Sequence, residues 1–128
     1  MRRPVLALVL FGFICGLSSF VTARVVTPSE NTAEVVSYLL DYVLHSDCVF
    51  IRNGSEHTAA EATNHLKSKY DYFKKDIKAP EDFIRLAATK SSMSGELYKV
   101  KLKDGREITS ADWLTGILAD YRKARAAP

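Results

Sequence analysis

Apolar residues recur along the chain with helical and strand-like periods, and each stretch predicts an element. Thr27-Pro28-Ser29-Glu30 reads as a helix start: Thr27 can cap, Pro28 suits the first helical position and Glu30 can reach back as a capping box. Behind it Val35, Val36, Leu39, Leu40 and Val43 share one helical face, and the helix is expected to end near His45 to Asp47. Cys48 to Arg52 predicts a short strand, and its consecutive Val49, Phe50 and Ile51 imply that both faces are covered. Asn53-Gly54 breaks that strand with turn chemistry. A second helix starts at Thr58, with Glu61 at capping-box spacing and Ala62, Leu66, Tyr70, Phe73 and Ile77 on one stripe. A third, short helix has Pro80 in its first turn, Glu81 and Asp82 at its positive end, and Phe83, Ile84 and Ala87 inward.

After a hydroxyl-rich loop at Ser91 to Gly95, Tyr98, Val100 and Leu102 alternate with Lys99 and Lys101, the signature of a half-exposed strand. Asp104-Gly105 gives a two-residue hairpin signal, and Arg106 to Thr109 returns as another strand. The last helix begins near Ser110 and buries Trp113, Leu114, Ile117, Leu118 and Tyr121; its Ala/Arg-rich end is expected to fray. The sum is an α+β domain of about four helices with a small two- to three-stranded antiparallel sheet.

The first residues change the picture of where this domain works. Arg2 and Arg3 precede an apolar run from Val5 to Phe20, followed by Val21-Thr22-Ala23 with small residues where signal peptidase reads. Residues 1–23 are therefore expected to be a cleavable signal peptide and 24–128 the mature single domain, with no permanent membrane span after cleavage. Cleavage removes Arg2 and Arg3 but no acid, which takes the formal charge from +3 to about +1. That near-neutral balance argues against a nucleic-acid partner. Cys15 leaves with the signal and Cys48 remains alone, so no internal disulfide is expected, and Cys48 reads as a small buried hydrophobe.

Phe50-Ile51-Arg52-Asn53-Gly54, His57, Glu61-Ala62, His65-Leu66 and Lys69 resemble the signature of the YfeK-like family of small exported bacterial proteins, a domain of unknown function. The likeness continues through Glu81, Phe83-Ile84, Ser91-Ser92, Ser94-Gly95 and Tyr98, and more loosely Trp113-Leu114. At Lys78-Ala79-Pro80 the chain departs from it, because relatives tend to carry a Thr that would cap the third helix. The resemblance implies a periplasmic location and a shared fold, and it brings no activity.

Two constellations carry candidate chemistry. His57, Glu61 and His65 are spaced four apart, which invites a metal-dependent enzyme or a small hydrolase, with Cys48 as a further candidate. Helical rise separates His57 from His65 by about 12 Å, too far for one ion, and Glu61 is claimed by the capping box. No nucleophile elbow, His-Glu-x-x-His or phosphate-binding Gly-rich loop is present. The second constellation is donor-rich: Arg52, Asn53, Gly54, His57, His65, Lys69, Ser91, Ser92, Ser94 and Gly95. Their charges, hydroxyls and flexible backbone suit a carboxylate, phosphate or sugar. The expectation is a non-enzymatic periplasmic binding or interaction module for a small anion, glycan or protein, without a cofactor. Lys67, Lys69, Lys74, Lys75 and Lys78, interleaved with Asp71 and Asp76, read as a solvated helix face.

Overall fold

A computed structural model describes residues 29–127. The signal-peptide reading of residues 1–23 and the Thr27-Pro28 helix start lie outside them. The order is α1 (Thr32–His45), β1 (Val49–Arg52), β2 (Ser55–His57), α2 (Ala59–Phe73), a 3₁₀ turn (Lys74–Asp76), α3 (Pro80–Ala87), β3 (Lys99–Lys101), β4 (Glu107–Thr109) and α4 (Ser110–Ala126). The four strands form one antiparallel sheet in the order β2-β1-β3-β4.

The helix starts follow local chemistry. The α1 cap is Asn31, whose side chain accepts from the Glu34 N–H. This corrects the start expected at Thr27-Glu30: Asn31 supplies the capping oxygen, and Glu30 is engaged instead by Arg122 of α4. At α2 the capping box forms as expected, Thr58 accepting from Glu61 N–H and Glu61 accepting from Thr58 N–H. At α3 the cap position is Ala79, and the Asp82 carboxylate reaches back to accept from the backbone N–H groups of Lys78 and Ala79. Nor does α4 end at Tyr121. It continues to Ala126 because Arg122 pairs with Glu30 and Glu81, while Arg125 pairs with Glu34 and donates to the Tyr121 hydroxyl.

Two turns set the sheet. Asn53 and Gly54 both have positive φ (50° and 74°), the geometry of a two-residue hairpin turn, so a fourth strand that the sequence reading missed returns at Ser55–His57. Lys103-Asp104-Gly105 makes a three-residue loop, not a two-residue one. Gly105 N–H donates to the Leu102 carbonyl, Leu102 N–H donates to Arg106, and Gly105 sits at φ 87°.

The helices pack on one face of this sheet. Leu39, Val43, Phe83, Ala87, Leu114 and Leu118 meet Phe50 and Val100 from the strands, all fully or nearly fully buried. The other face stays partly open. Val49 and Ile51 are only half-buried, and Glu56 pairs with Lys101 near them, so β1 is not covered on both faces as its apolar run implied. The α2 stripe is corrected in a similar way. Tyr70 and Phe73 are half-buried, whereas Thr63 and Lys69 are buried. Among the described residues no helix is long and apolar enough to cross a membrane.

Candidate functional site

Strand alternation places the site. Phe50 pairs with His57 on one side and Val100 on the other, so these three share the core face. Two residues further along β1, Arg52 points to that same face beside Ser55. The β1–β3 register, extended by one pair, sets Tyr98 opposite Arg52. The apolar row therefore gives way to a polar one at the end of the sheet. Against that end lies the α2 face bearing Ala62, His65, Leu66 and Lys69, spaced to fall on successive turns.

Three side chains form a chain of contacts there. Lys69 Nζ donates to the Lys90 carbonyl at 2.8 Å and to the Tyr98 hydroxyl at 3.2 Å. The Tyr98 hydroxyl lies 3.1 Å from His65 Nε2. An ammonium only donates, so the Tyr98 oxygen accepts from Lys69, and a His65 ring that carries its proton on Nδ1 accepts the Tyr98 hydrogen at Nε2. Lys69 also sits 5.0 Å from the Tyr98 ring centroid, in cation–π range.

The electrostatics of this group are one-sided. Burial first, then Arg52, Lys69 and His57, push the His65 pKa down to about 4, so the ring is neutral at pH 7. Lys69 is also held below the ordinary lysine range by burial and then by Arg52. Burial raises Tyr98, with Arg52 opposing. Arg52 thus disfavours the charged forms of both His65 and Lys69. Among the described residues neither Arg52 nor Lys69 has a carboxylate partner.

A test of this burial follows. When unfolded, His65 protonates near 6.5; when folded, near 4. Between those values only the unfolded chain binds the proton, so stability is complete above pH 6.5 and falls as pH drops toward 4. Allowing for solvent screening of a partly exposed ring, the loss is about 1–2 kcal/mol. Urea denaturation at pH 7 and pH 4.5 should show this slope in wild type and a reduced one in His65→Gln, a comparison that cancels the acid titration of the carboxylates. Identical slopes would mean that His65 is not held neutral.

The other candidates take different roles. Ser91 is buried, and its hydroxyl accepts from Met93 N–H, Ser94 N–H and the Asn53 amide. Ser94 donates to Asn53 Oδ1 at 2.6 Å. Asn53, Ser91 and Ser94 are therefore spent tying the β1–β2 turn to the 91–95 loop, and Asn53 and Ser91 line one side of the site. Gly54 and Gly95 contribute positive-φ backbone to the same two turns. Ser92 is exposed and lines the groove.

His57 lies 3.4 Å from Glu61 and shares a small recess of about 30 Å³ with Arg52, His65 and Tyr98. Among the described residues no three His, Cys, Asp or Glu side chains gather to hold a metal ion. Cys48 is a half-buried free thiol at the end of β1 opposite Arg52 and lines a different recess, with His45 and Trp113. Beside the recess that His57 lines, a groove of about 700 Å³ is lined by Arg52, Asn53, His65, Lys69 and Tyr98, with Tyr72, Phe73, Ser92 and Met93 at its rim. Sequence reasoning counted Tyr98 as a core strand residue and missed that its hydroxyl joins His65 to Lys69. The one available signal was its position directly before the Lys99–Lys101 strand, in register with Arg52.

Residues 30–122 match the family described as Family of unknown function (DUF5329). The chain belongs to this family. It is also 32% identical over 70 residues to the uncharacterized protein YfeK of Salmonella typhimurium, as its YfeK-like signature implied. That alignment covers 55% of this chain and 58% of YfeK, so the match spans less than two thirds of that relative. No solved structure matches. The aligned DUF5329 region takes in β1, α2, the 91–95 loop and β3, and with them every residue of the groove.

Proposed function

We propose that this DUF5329 protein is a periplasmic, non-enzymatic binding module whose ligand presents an anionic group to the Arg52–Lys69 groove. The carrying observation is the uncompensated positive charge: a half-buried guanidinium and a buried ammonium share one groove, and among the described residues no carboxylate is paired with either. Holding like charges together costs stability, and a cost of this kind is typical of binding sites. A carboxylate or phosphate in the groove would relieve the repulsion and accept charge-assisted hydrogen bonds from Arg52. The exposed Ser92 hydroxyl is placed to add a neutral donor. What supports the location is the pattern of residues 1–23, a basic start, an apolar run and a small-residue exit.

The test is thermal melting of the mature protein in phosphate, acetate and chloride at constant ionic strength. A ligand at ten times its Kd stabilises by about 1.4 kcal/mol, which shifts Tm by about 5 °C for a domain of this size. Phosphate or acetate should raise Tm above the chloride value. Equal melting in all three salts would remove the anion-site reading.

A further inference from the structure

The groove changes character along α2, and that gradient bears on what kind of anion it takes. His65 sits beside Arg52 and Tyr98 at the end of the sheet, and Lys69 comes one helical turn later. A further turn on, Tyr72 and Phe73 form an edge-to-face aromatic pair with centroids 4.9 Å apart. From His65 to Phe73 the helix rises about 12 Å, so cationic floor and aromatic rim are separated by the length of a small molecule. Across from α2 the 91–95 loop lifts Met93 into solvent at 98% exposure, and Tyr72 is 83% exposed. Both border the groove. The α2 stripe does not need Tyr72, which faces away from the core. The loop does not need the Met93 side chain either, since its geometry is fixed by Ser91, Ser94 and Asn53.

We propose that the groove selects a small amphipathic anion, with its carboxylate or phosphate head at Arg52 and Lys69 and its apolar body along Tyr72, Phe73 and Met93. This rests on the anion-site reading and adds the chemical class of the ligand. A simple inorganic anion would use only the sheet end of the opening. A glycan would place hydroxyls against a thioether and two aromatic edges and leave two cations without a counter-charge. An apolar tail on an anionic head satisfies both ends at once, and the open rim admits a tail entering from solvent. Methionine is suited to such a wall because its unbranched thioether adapts to ligands of different shape.

The experiment compares acetate, hexanoate and octanoate, with octanol and octylammonium as controls. Binding is followed by the amide shifts of Asn53, Ser92 and Tyr98 in the mature protein. Each fully buried methylene is worth a factor of about four, so a partly covered tail should bring octanoate to at least about tenfold tighter binding than acetate. Octanol should bind more weakly than octanoate, and octylammonium should leave the groove shifts unchanged. In a Tyr72→Ser/Met93→Ser variant, altered only at exposed positions, the chain-length gain should shrink to what Phe73 alone supplies while acetate affinity stays the same. If acetate and octanoate bind wild type equally, the amphipathic class is overturned and the anion site stands. If neither binds, the anion site itself fails and this inference fails with it.

Discussion

Arg52→Gln is expected to keep the stability of the wild type to within about 0.5 kcal/mol while weakening anion binding tenfold or more. The two halves of this result belong together. Arg52 makes no ion pair among the described residues, and it opposes the charge on Lys69 and the protonation of His65. Glutamine removes that repulsion and retains an amide for local hydrogen bonds. It loses only the packing of part of the arginine stem. A strut would behave in the opposite way, because removing one member of a buried ion pair leaves its partner uncompensated and costs about 3–5 kcal/mol. Urea denaturation gives the first half and an acetate or phosphate titration the second. A large loss of stability would make Arg52 a structural residue.

The largest expected effect on the fold is at Phe83, where alanine should cost about 3–5 kcal/mol. Phe83 is fully buried and meets Tyr70 of α2 edge-to-face, with ring centroids 5.8 Å apart. Domains of this kind have about 5–15 kcal/mol in total, so the change removes a large share of the margin. It also reaches the groove. Lys90, whose carbonyl holds the Lys69 ammonium, lies just beyond α3, after Ala88 and Thr89. A loosened α3 should therefore broaden the groove resonances even where the variant remains mostly folded. Equilibrium urea denaturation checks the energy. A loss below about 1 kcal/mol would mean that the site closes around the gap.

The helices were legible because each carries its own local signals: Thr58 and Glu61 close a capping box, and Pro80 opens α3. The half-exposed β3 strand was legible from the alternation of Val100 with lysines. Strand β2 was not, because Ser55-Glu56-His57 lies on an edge and has no apolar alternation; only Asn53-Gly54 announced it. The α1 start was misplaced because the Thr27–Glu30 pattern was read as the cap, whereas the capping oxygen comes from Asn31.

The site divides along the same line. Sequence named Arg52, His65 and Lys69, and α2 with the end of the sheet brings them together. It could not separate Asn53, Ser91 and Ser94, whose groups are consumed by one another, from Ser92, whose hydroxyl is free for the groove. That distinction depends on contacts between segments about forty residues apart, and no local pattern encodes them. Lys69 was read both as a donor of the candidate site and as part of a solvated lysine face, and its burial corrects the second reading. Its burial became visible only once Tyr98 and the Lys90 carbonyl were in place as partners.

The most direct measurement is the side-chain Nε–Hε resonance of Arg52 during an acetate titration at constant ionic strength. Anion binding at the guanidinium predicts a saturable shift of that resonance, with Lys69 Nζ and the Tyr98 amide moving at the same midpoint. An Arg52 resonance that stays fixed while exposed side chains such as Arg106 drift linearly with acetate would contradict an anion site in this groove.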